Sequence, residues 1–331
     1  MENSFFTACS IPKELYPEYE TLLARCGLRD EHDGDFYVLC IDEDGKLLAS
    51  GSRRGNVLKQ ICVLPEAEGL GLCAEIVTEL IQNEAEQGET HLFLYTSPDH
   101  EEIFDSLGFS PIISTGSMLM MENLRGGFKS WLSSLPHFSG KVGAVVCNCN
   151  PFTLGHRHLI ETAAARCDEL LVFVLSEDLS MFPTDVRFEL VKAGTRDIPN
   201  VHVLESHDYI ISRATFPTYF IKEQSGCTEA ACELDVAIFA EKIAPALKIT
   251  ARFVGQEPYD PITRAYNEEL KTVLPRHGID LVELPRYMDI SAGKVRRMIS
   301  EGRLAEARNM LPETTYEYCE RHFGTGIVLQ R

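Results

Sequence analysis

The run "KVGAVVC" (residues 141–147) is an apolar stretch of strand length, and it empties abruptly into "NCNPFTLGHRH". A strand that is apolar on both sides must be covered on both faces, as an inner strand of a parallel sheet is. The chain then keeps alternating. Helical spacing in "HLIETAAARC" from His158, with Leu159, Ile160, Ala163 and Ala164 on one face, gives way to strand-like "ELLVFVLS", a helix at "TDVRFELVKAGT" and strand-like "VHVLES". Helical "ELDVAIFAEKIAPAL", strand-like "ARFVG", a helix around "TRAYNEELKTVL" and strand-like "IDLVEL" continue the series. This pattern predicts a doubly wound, Rossmann-like α/β domain with a mainly parallel sheet, whose ligands bind beyond the carboxyl ends of strands. "NCNPFTLGHRH" stands at such an end.

Its residue types suit phosphate. Pro151 and Gly155 shape a tight approach to the next helix, whose exposed N–H groups at His156 and beyond can receive an anion. Thr153 offers a hydroxyl, and His156 can donate to phosphate oxygens as charge builds on them. No typical nucleophile with a base beside it is present, so the implied chemistry is positioning and transition-state stabilisation. His158 reads as incidental. Cys147 and Cys149 form a C-x-C pair, but a zinc site needs further ligands at suitable spacing and none stands out, so no metal ligation is expected. Cys149 would react with thiol reagents if exposed.

Upstream, "DFYVLCIDEDGKLLASGS" reads as a hairpin with Gly45 in its turn, and Val57–Leu64 as a strand ended by Pro65. Leu72, Ile76, Val77, Leu80 and Ile81 recur at helical spacing up to a stop at Gly88; "HLFLYT" is strand-like and "DHEEIFDSLGF" a helix closed by Gly108. The Gly-, Ser- and Pro-bearing stretch "NLRGGFKSWLSSLPHFSGK" separates the two patterned regions. The expected organisation is a first domain over 1–123, a linker over 124–140 and a second domain over 141–331.

Two domains also fit 331 residues, a length beyond which one core stops growing. The formal charge of -19 opposes nucleic-acid phosphates, and no Lys/Arg run offsets it, so a nucleic-acid partner is disfavoured. Eleven scattered cysteines fit a reducing compartment better than a disulfide framework. The start "MENSFFTACSIPKEL" lacks signal-peptide character, and no apolar run is long enough to span a bilayer. The expectation is a cytoplasmic protein without a membrane partner.

The first region resembles the GNAT acetyltransferase fold in its order of strands, helix, strand, helix, strand. Where that family has Gln or Arg, two residues, Gly, one residue, then Gly or Ala around a CoA pyrophosphate, this chain has Glu68, Gly71 and Cys73. Glu68 puts a negative charge where the pyrophosphate would lie, which points to a GNAT-like module that does not transfer acetyl groups itself; binding of a CoA-type ligand without catalysis is the alternative.

In the second region "TLGH" resembles the (T/H)xGH signature of the nucleotidyltransferase superfamily, and "ISAGKVRRMI" its ISxSxxR or ISxTxxR element. Ser291, Lys294 and Arg296 fall on that pattern, while Gly293 stands where Ser or Thr is usual. Together with "FPTDVRFELVKAGT", "ATFPTYFIK", "LDVAIFAEKIAPAL" and "FVGQEPYDPITRAYNE", and behind a GNAT-like region, these elements resemble the [citrate (pro-3S)-lyase] ligase family over essentially the whole chain.

The resemblance implies an enzyme that activates acetate with ATP, usually with Mg2+, and acetylates the thiol of the CoA-derived prosthetic group on the citrate lyase acyl carrier protein. It implies catalytic roles for His156, Thr153 and Lys294. The ATP-binding set it implies is Asn150, Pro151, Phe152, Thr153, Gly155, His156, Arg187, Gly255, Glu257, Ser291, Gly293 and Arg296. For Arg187 a solvated helix position is the alternative, and loop structure alone accounts for Gly255, Glu257 and Asp260 about as well. Asp235 sits in an apolar helix; facing inward it is costly unless paired, and an exposed face is the commoner arrangement. Two other readings stay open: an adenylyltransferase acting on phosphopantetheine or a mononucleotide, and a non-catalytic carrier-protein-binding module.

Overall fold

The computed structural model describes residues 3–176, 180–210, 224–258 and 261–324. They fall into two compact units: residues 3–130 with 224–234, and the remaining described residues from 131 onward. "ATFPTYFIK", Asp260 and the last seven residues lie outside the described residues.

The first unit is built from β1 (Ser4–Ala8), α1 (Tyr16–Arg25), β2 (Phe36–Ile41), β3 (Leu47–Arg54), β4 (Val57–Val63), α2 (Leu72–Glu86), β5 (Phe93–Thr96), α3 (Glu101–Ser106), β6 (Ser110–Ser114) and β7 (Leu119–Glu122). Its seven strands form one sheet in the order β1-β2-β3-β4-β5-β7-β6. The pairs are antiparallel except β4 with β5, which register only at Val57↔Phe93 and Leu58↔Leu94 before parting. This is the GNAT-like arrangement expected. The hairpin between β2 and β3 turns at Gly45 (φ 81°), where the Asp42 carboxylate accepts from the N–H groups of Asp44 and Lys46. Gly51 on β3 admits α2 closely, since a Cβ there would lie 2.5 Å from Ile76 Cγ2. Leu72, Ile76, Val77 and Leu80 thus seat on the sheet.

α4 (Gly127–Ser134) is a helix inside the stretch read as a linker. Beyond it come β8 (Val142–Cys147), α5 (Leu154–Ala164), β9 (Glu169–Val174), α6 (Thr184–Thr195), β10 (Val201–Glu205) and α7 (Gln224–Ile238). A π-helical turn over Phe239–Ile243 joins α7 to α8 (Ala244–Leu247), followed by β11 (Ile249–Gly255), α9 (Pro261–Val273), β12 (Asp280–Leu284), α10 (Ala292–Ser300) and α11 (Glu313–Phe323). The five strands are parallel throughout, in the order β10-β9-β8-β11-β12.

The chain steps outward from β8 through β9 to β10, then resumes on the far side of β8 with β11 and β12. The direction of winding therefore reverses between β8 and β11, and a crevice opens at their carboxyl ends. β8 is the strand foreseen, with Val142, Ala144 and Val145 fully buried. None of the described helices is long and apolar enough to cross a membrane.

Two boundaries differ from the periodicity. α5 begins at Leu154 rather than His158, because its first turn is half-buried at the crevice and carries no apolar stripe. α7 begins at Gln224, upstream of the apolar repeat at "ELDVAIFA".

Gly143 in β8 has no room for a side chain, since a Cβ would come within 2.8 Å of Phe253 and 2.9 Å of the Cys167 sulfur. Gly143→Ala should destabilise the protein by about 1–3 kcal/mol, the usual range for overpacking, read as a lower urea midpoint.

Candidate active site

β8 delivers the chain into Asn148–Phe152 and then α5. Thr153, extended at φ -113°, is the N-cap: its Oγ1 accepts the His156 backbone N–H at 3.4 Å, while its own N–H donates to His156 Nδ1 at 3.1 Å. A backbone N–H can only donate, so Nδ1 must present its lone pair. In the neutral ring the proton then sits on Nε2. Burial lowers the His156 pKa to about 4, helped by the positive charge of Arg286, so the imidazole is neutral at pH 7. His156 is therefore an Nε2–H donor with a fixed tautomer.

The ring is also held sterically. Phe152, fully buried, stacks on His156 at 6.1 Å and 15°, and rests against Gly194, where a Cβ would lie 2.4 Å from its ring. Pro151, joined to Asn150 by a cis peptide, is buried beneath the turn. A Cβ on Gly155 would meet the Ile290 carbonyl oxygen at 3.6 Å, so the start of α5 lies beside the residue that precedes Ser291.

Ser291 caps α10 as Thr153 caps α5, its Oγ accepting the Lys294 N–H at 3.1 Å. Two helix N-termini thus come together, each with first-turn N–H groups available to an anion. Lys294 Nζ lies 3.3 Å from the exposed Asp289 carboxylate, a solvent-screened pair that an incoming phosphate can replace. Gly293 has open space around its Cβ position, its nearest neighbour being the Arg296 guanidinium at 3.8 Å. Arg296 itself donates to the Asn150 carbonyl, tying α10 to the loop of α5.

Arg187 is neither on a solvated face nor free to grip a nucleotide. It is completely buried, and its donors reach the carbonyls of Phe182, Asn148 and Leu175, the Asn148 side chain and the Thr184 hydroxyl at 2.7–3.0 Å. It fastens the ends of β8 and β9 to the start of α6. Asn150 works with it, its Oδ1 accepting the Phe182 N–H at 3.3 Å.

At the end of β11, Gly255 has empty space at its Cβ position and its carbonyl accepts from Asn267 at 3.1 Å. Glu257 holds Arg286 through both carboxylate oxygens at 3.1 Å, and Arg286 also reaches the Ile290 carbonyl. Arg286 is a site residue that the motif-based reading missed. It lies in "ELPRYMDIS", a loop without periodicity, five residues before Ser291, and only the fold brings it near His156. His158 stacks on Tyr287, with ring centroids 4.5 Å apart.

Cys147 and Cys149 place their sulfurs 3.2 Å apart, with Cys149 buried and its thiol pKa pushed up by that burial. Cys149 is thus shielded from thiol reagents. Among the described residues, no three His, Cys, Asp or Glu side chains gather as a metal centre. Asp235 also departs from the commoner arrangement: it is buried and accepts a hydrogen bond from the Tyr266 hydroxyl.

A parallel sheet with two capped helix N-termini meeting at its switch point defines a nucleotidyltransferase-type domain, here behind a GNAT-like unit. The model of the citrate lyase ligase C-terminal domain matches residues 142–319. The chain is 41% identical over 309 residues to the [citrate [pro-3S]-lyase] ligase of Escherichia coli K12, covering 87% of this chain and 88% of that one. It is 39% identical to the Klebsiella pneumoniae ligase (82% and 83% covered) and 34% identical to that of Haemophilus influenzae (91% and 94%). The chain belongs to the [citrate [pro-3S]-lyase] ligase family.

Arg187→Leu would leave the carbonyls of Phe182, Asn148 and Leu175 short of a buried donor; at about 1–3 kcal/mol per orphaned group, a loss of about 3 kcal/mol or more is expected in urea unfolding. For His156, the folded pKa is about 4 and the ordinary value 6.5, so the unfolded chain binds the extra proton first as pH falls. Stability should therefore drop progressively between those values as acid is added. In His156→Gln that contribution disappears, so its unfolding midpoint should fall less steeply than the wild type over the same window.

Proposed function

We propose that the second unit binds ATP with its phosphates between α5 and α10 and transfers the adenylyl group to acetate, and that the acetyl group then passes to the thiol of the CoA-derived prosthetic group on the citrate lyase acyl carrier protein. Family membership supports a ligase acting on citrate lyase. The observation that carries the adenylation step is the convergence of the Thr153- and Ser291-capped helix starts around a neutral, tautomer-fixed His156.

In this reading a carboxylate oxygen of acetate attacks the α-phosphorus and the bond to pyrophosphate breaks. The thiolate then attacks the acetyl carbon, and AMP leaves with the oxygen that had joined the two. The carboxylate is already a nucleophile, so no dedicated base is required. His156 Nε2–H and the first-turn N–H groups of α5 would meet the oxygens on which charge develops. On the other side, Ser291, Lys294 and the N–H of Gly293 would hold the leaving phosphates. Lys294 would exchange Asp289 for phosphate, while Arg286, Arg187 and Arg296 position the loops.

Mg2+ brought in with the triphosphate would neutralise part of its charge. It would be held largely by the phosphates, since such ions commonly take only one or two protein carboxylates. The GNAT-like unit would help place the long prosthetic arm, although Glu68, exposed beside Gly69 (φ 78°) and Gly71 (φ 80°), keeps a negative charge at the loop before α2. The reducing cytoplasm suits the free thiols of Cys147 and Cys149.

Exchange of labelled pyrophosphate into ATP tests the reading. Acetate-dependent exchange is the expected result. Exchange that ignores acetate and responds to phosphopantetheine would replace the ligase reading by adenylyl transfer, and no exchange would leave a binding module. His156→Ala should slow the exchange by ~10²-fold or more, the scale of removing one transition-state donor.

A further inference from the structure

Arg252, on β11, is the least explained side chain of the second unit. It is 2% exposed, and its Nε and Nη1 atoms are buried without a hydrogen-bond partner. Its Nη2 donates to the Tyr266 hydroxyl at 2.7 Å, and that hydroxyl donates in turn to Asp235. The guanidinium lies over the Phe239 ring, 4.3 Å from its centroid, with the Tyr266 ring at 5.6 Å. Arg187 shows what a structural buried arginine looks like in this fold, with carbonyls and hydroxyls drawn in around it. Among the described residues, Arg252 has no such shell.

An arginine presents two edges on which a pair of N–H groups point in parallel: Nε with Nη2, and Nη1 with Nη2. Tyr266 takes one of the two Nη2 hydrogens, so one complete edge is left. Such an edge matches a planar carboxylate with two parallel hydrogen bonds. Leaving it unmade in a buried place costs several times the worth of an ordinary hydrogen bond, and a residue kept only for packing would be apolar. The flanking Phe239 and Tyr266 rings suit a short apolar tail and offer nothing to a second charge. Arg252 registers with Ala144 of β8, in the middle of both strands and three residues before Gly255, where β11 reaches the switch-point crevice.

We infer that Arg252, held by Tyr266 and Asp235, receives the carboxylate of the small monocarboxylic acid that the enzyme activates, and so sets acid specificity. This rests on the reading of the protein as an acid-activating ligase. Arg252 is then a substrate-binding residue, with Tyr266 and Asp235 as positioning residues that fix its plane. Dicarboxylates would be rejected, since a second carboxylate would meet the rings and the Asp235 carboxylate rather than a cation.

The test uses the full chain with acetate as the probe, in two measurements. One is saturation-transfer NMR of acetate; the other is the acetate and ATP dependence of pyrophosphate exchange. Wild type should show acetate saturation. Arg252→Met should lose it and raise the acetate KM by about a hundredfold, the scale of a lost charge-assisted pair, with the ATP KM unchanged. Arg252→Lys, which keeps the charge but not the fork, should fall between, and it decides the matter if the Met variant does not fold. Tyr266→Phe should raise the acetate KM alone. An acetate KM unmoved in the folded variants, or ATP and acetate dependences that shift together, overturns the assignment of Arg252. Acetate binding that needs Arg252 but is accompanied by no acetate-dependent exchange in wild type would keep the pocket and remove the ligase reading instead.

Discussion

The reciprocal pair of hydrogen bonds between Thr153 and His156 sets the chemistry of the second unit. It closes the first turn of α5 and assigns the imidazole proton to Nε2 in one arrangement. A protonated ring could not accept the Thr153 N–H, so the cap and the neutral state support each other. Burial against Phe152 and the charge of Arg286 push the same way. The remaining loop contacts serve this geometry. Gly194 makes the slot for Phe152, Arg187 anchors the strand ends, and Arg296 draws α10 toward Asn150.

Buried cations are treated in two ways. Arg187 is surrounded by acceptors, and in the first unit the nearly buried Lys59 lies against Glu31 and Asp33 at 2.5 and 2.7 Å. Lys59 is a matched charge and Arg187 a hydrogen-bonded one, and removing either would orphan its partners. Arg252 is matched on one side only. That difference separates an arginine that holds the framework from one that has kept hydrogen-bonding capacity for something else.

The fold class was legible because strand-length apolar runs and helical repeats alternate along the second half of the chain, and the two capped helix starts because Thr153 with His156, and separately Ser291 with Lys294, sit at fixed local spacing. Local spacing reports what one turn of backbone does. The start of α5 was harder to read, since its first turn faces the crevice and carries no apolar stripe. The buried role of Arg187 depends on carbonyls far away in sequence, such as that of Asn148. Arg286, just upstream of the second motif but outside its pattern, becomes a candidate site residue only because β11 and β12 are neighbours and Glu257 reaches across to it. Asp235 looked like a surface acid until Tyr266 of another helix supplied the proton that makes its burial tolerable.

If, as proposed, a carboxylate oxygen of the acid bonds to the α-phosphorus of ATP before the acetyl group moves to a thiol, that oxygen leaves with AMP. Following the oxygen tests the proposal most directly. Acetate labelled with 18O in both positions, incubated with the enzyme, ATP, Mg2+ and the deacetylated carrier protein, should leave one labelled oxygen in the phosphate of the released AMP, seen by mass spectrometry. AMP free of label, or ADP and phosphate as products, would contradict the account.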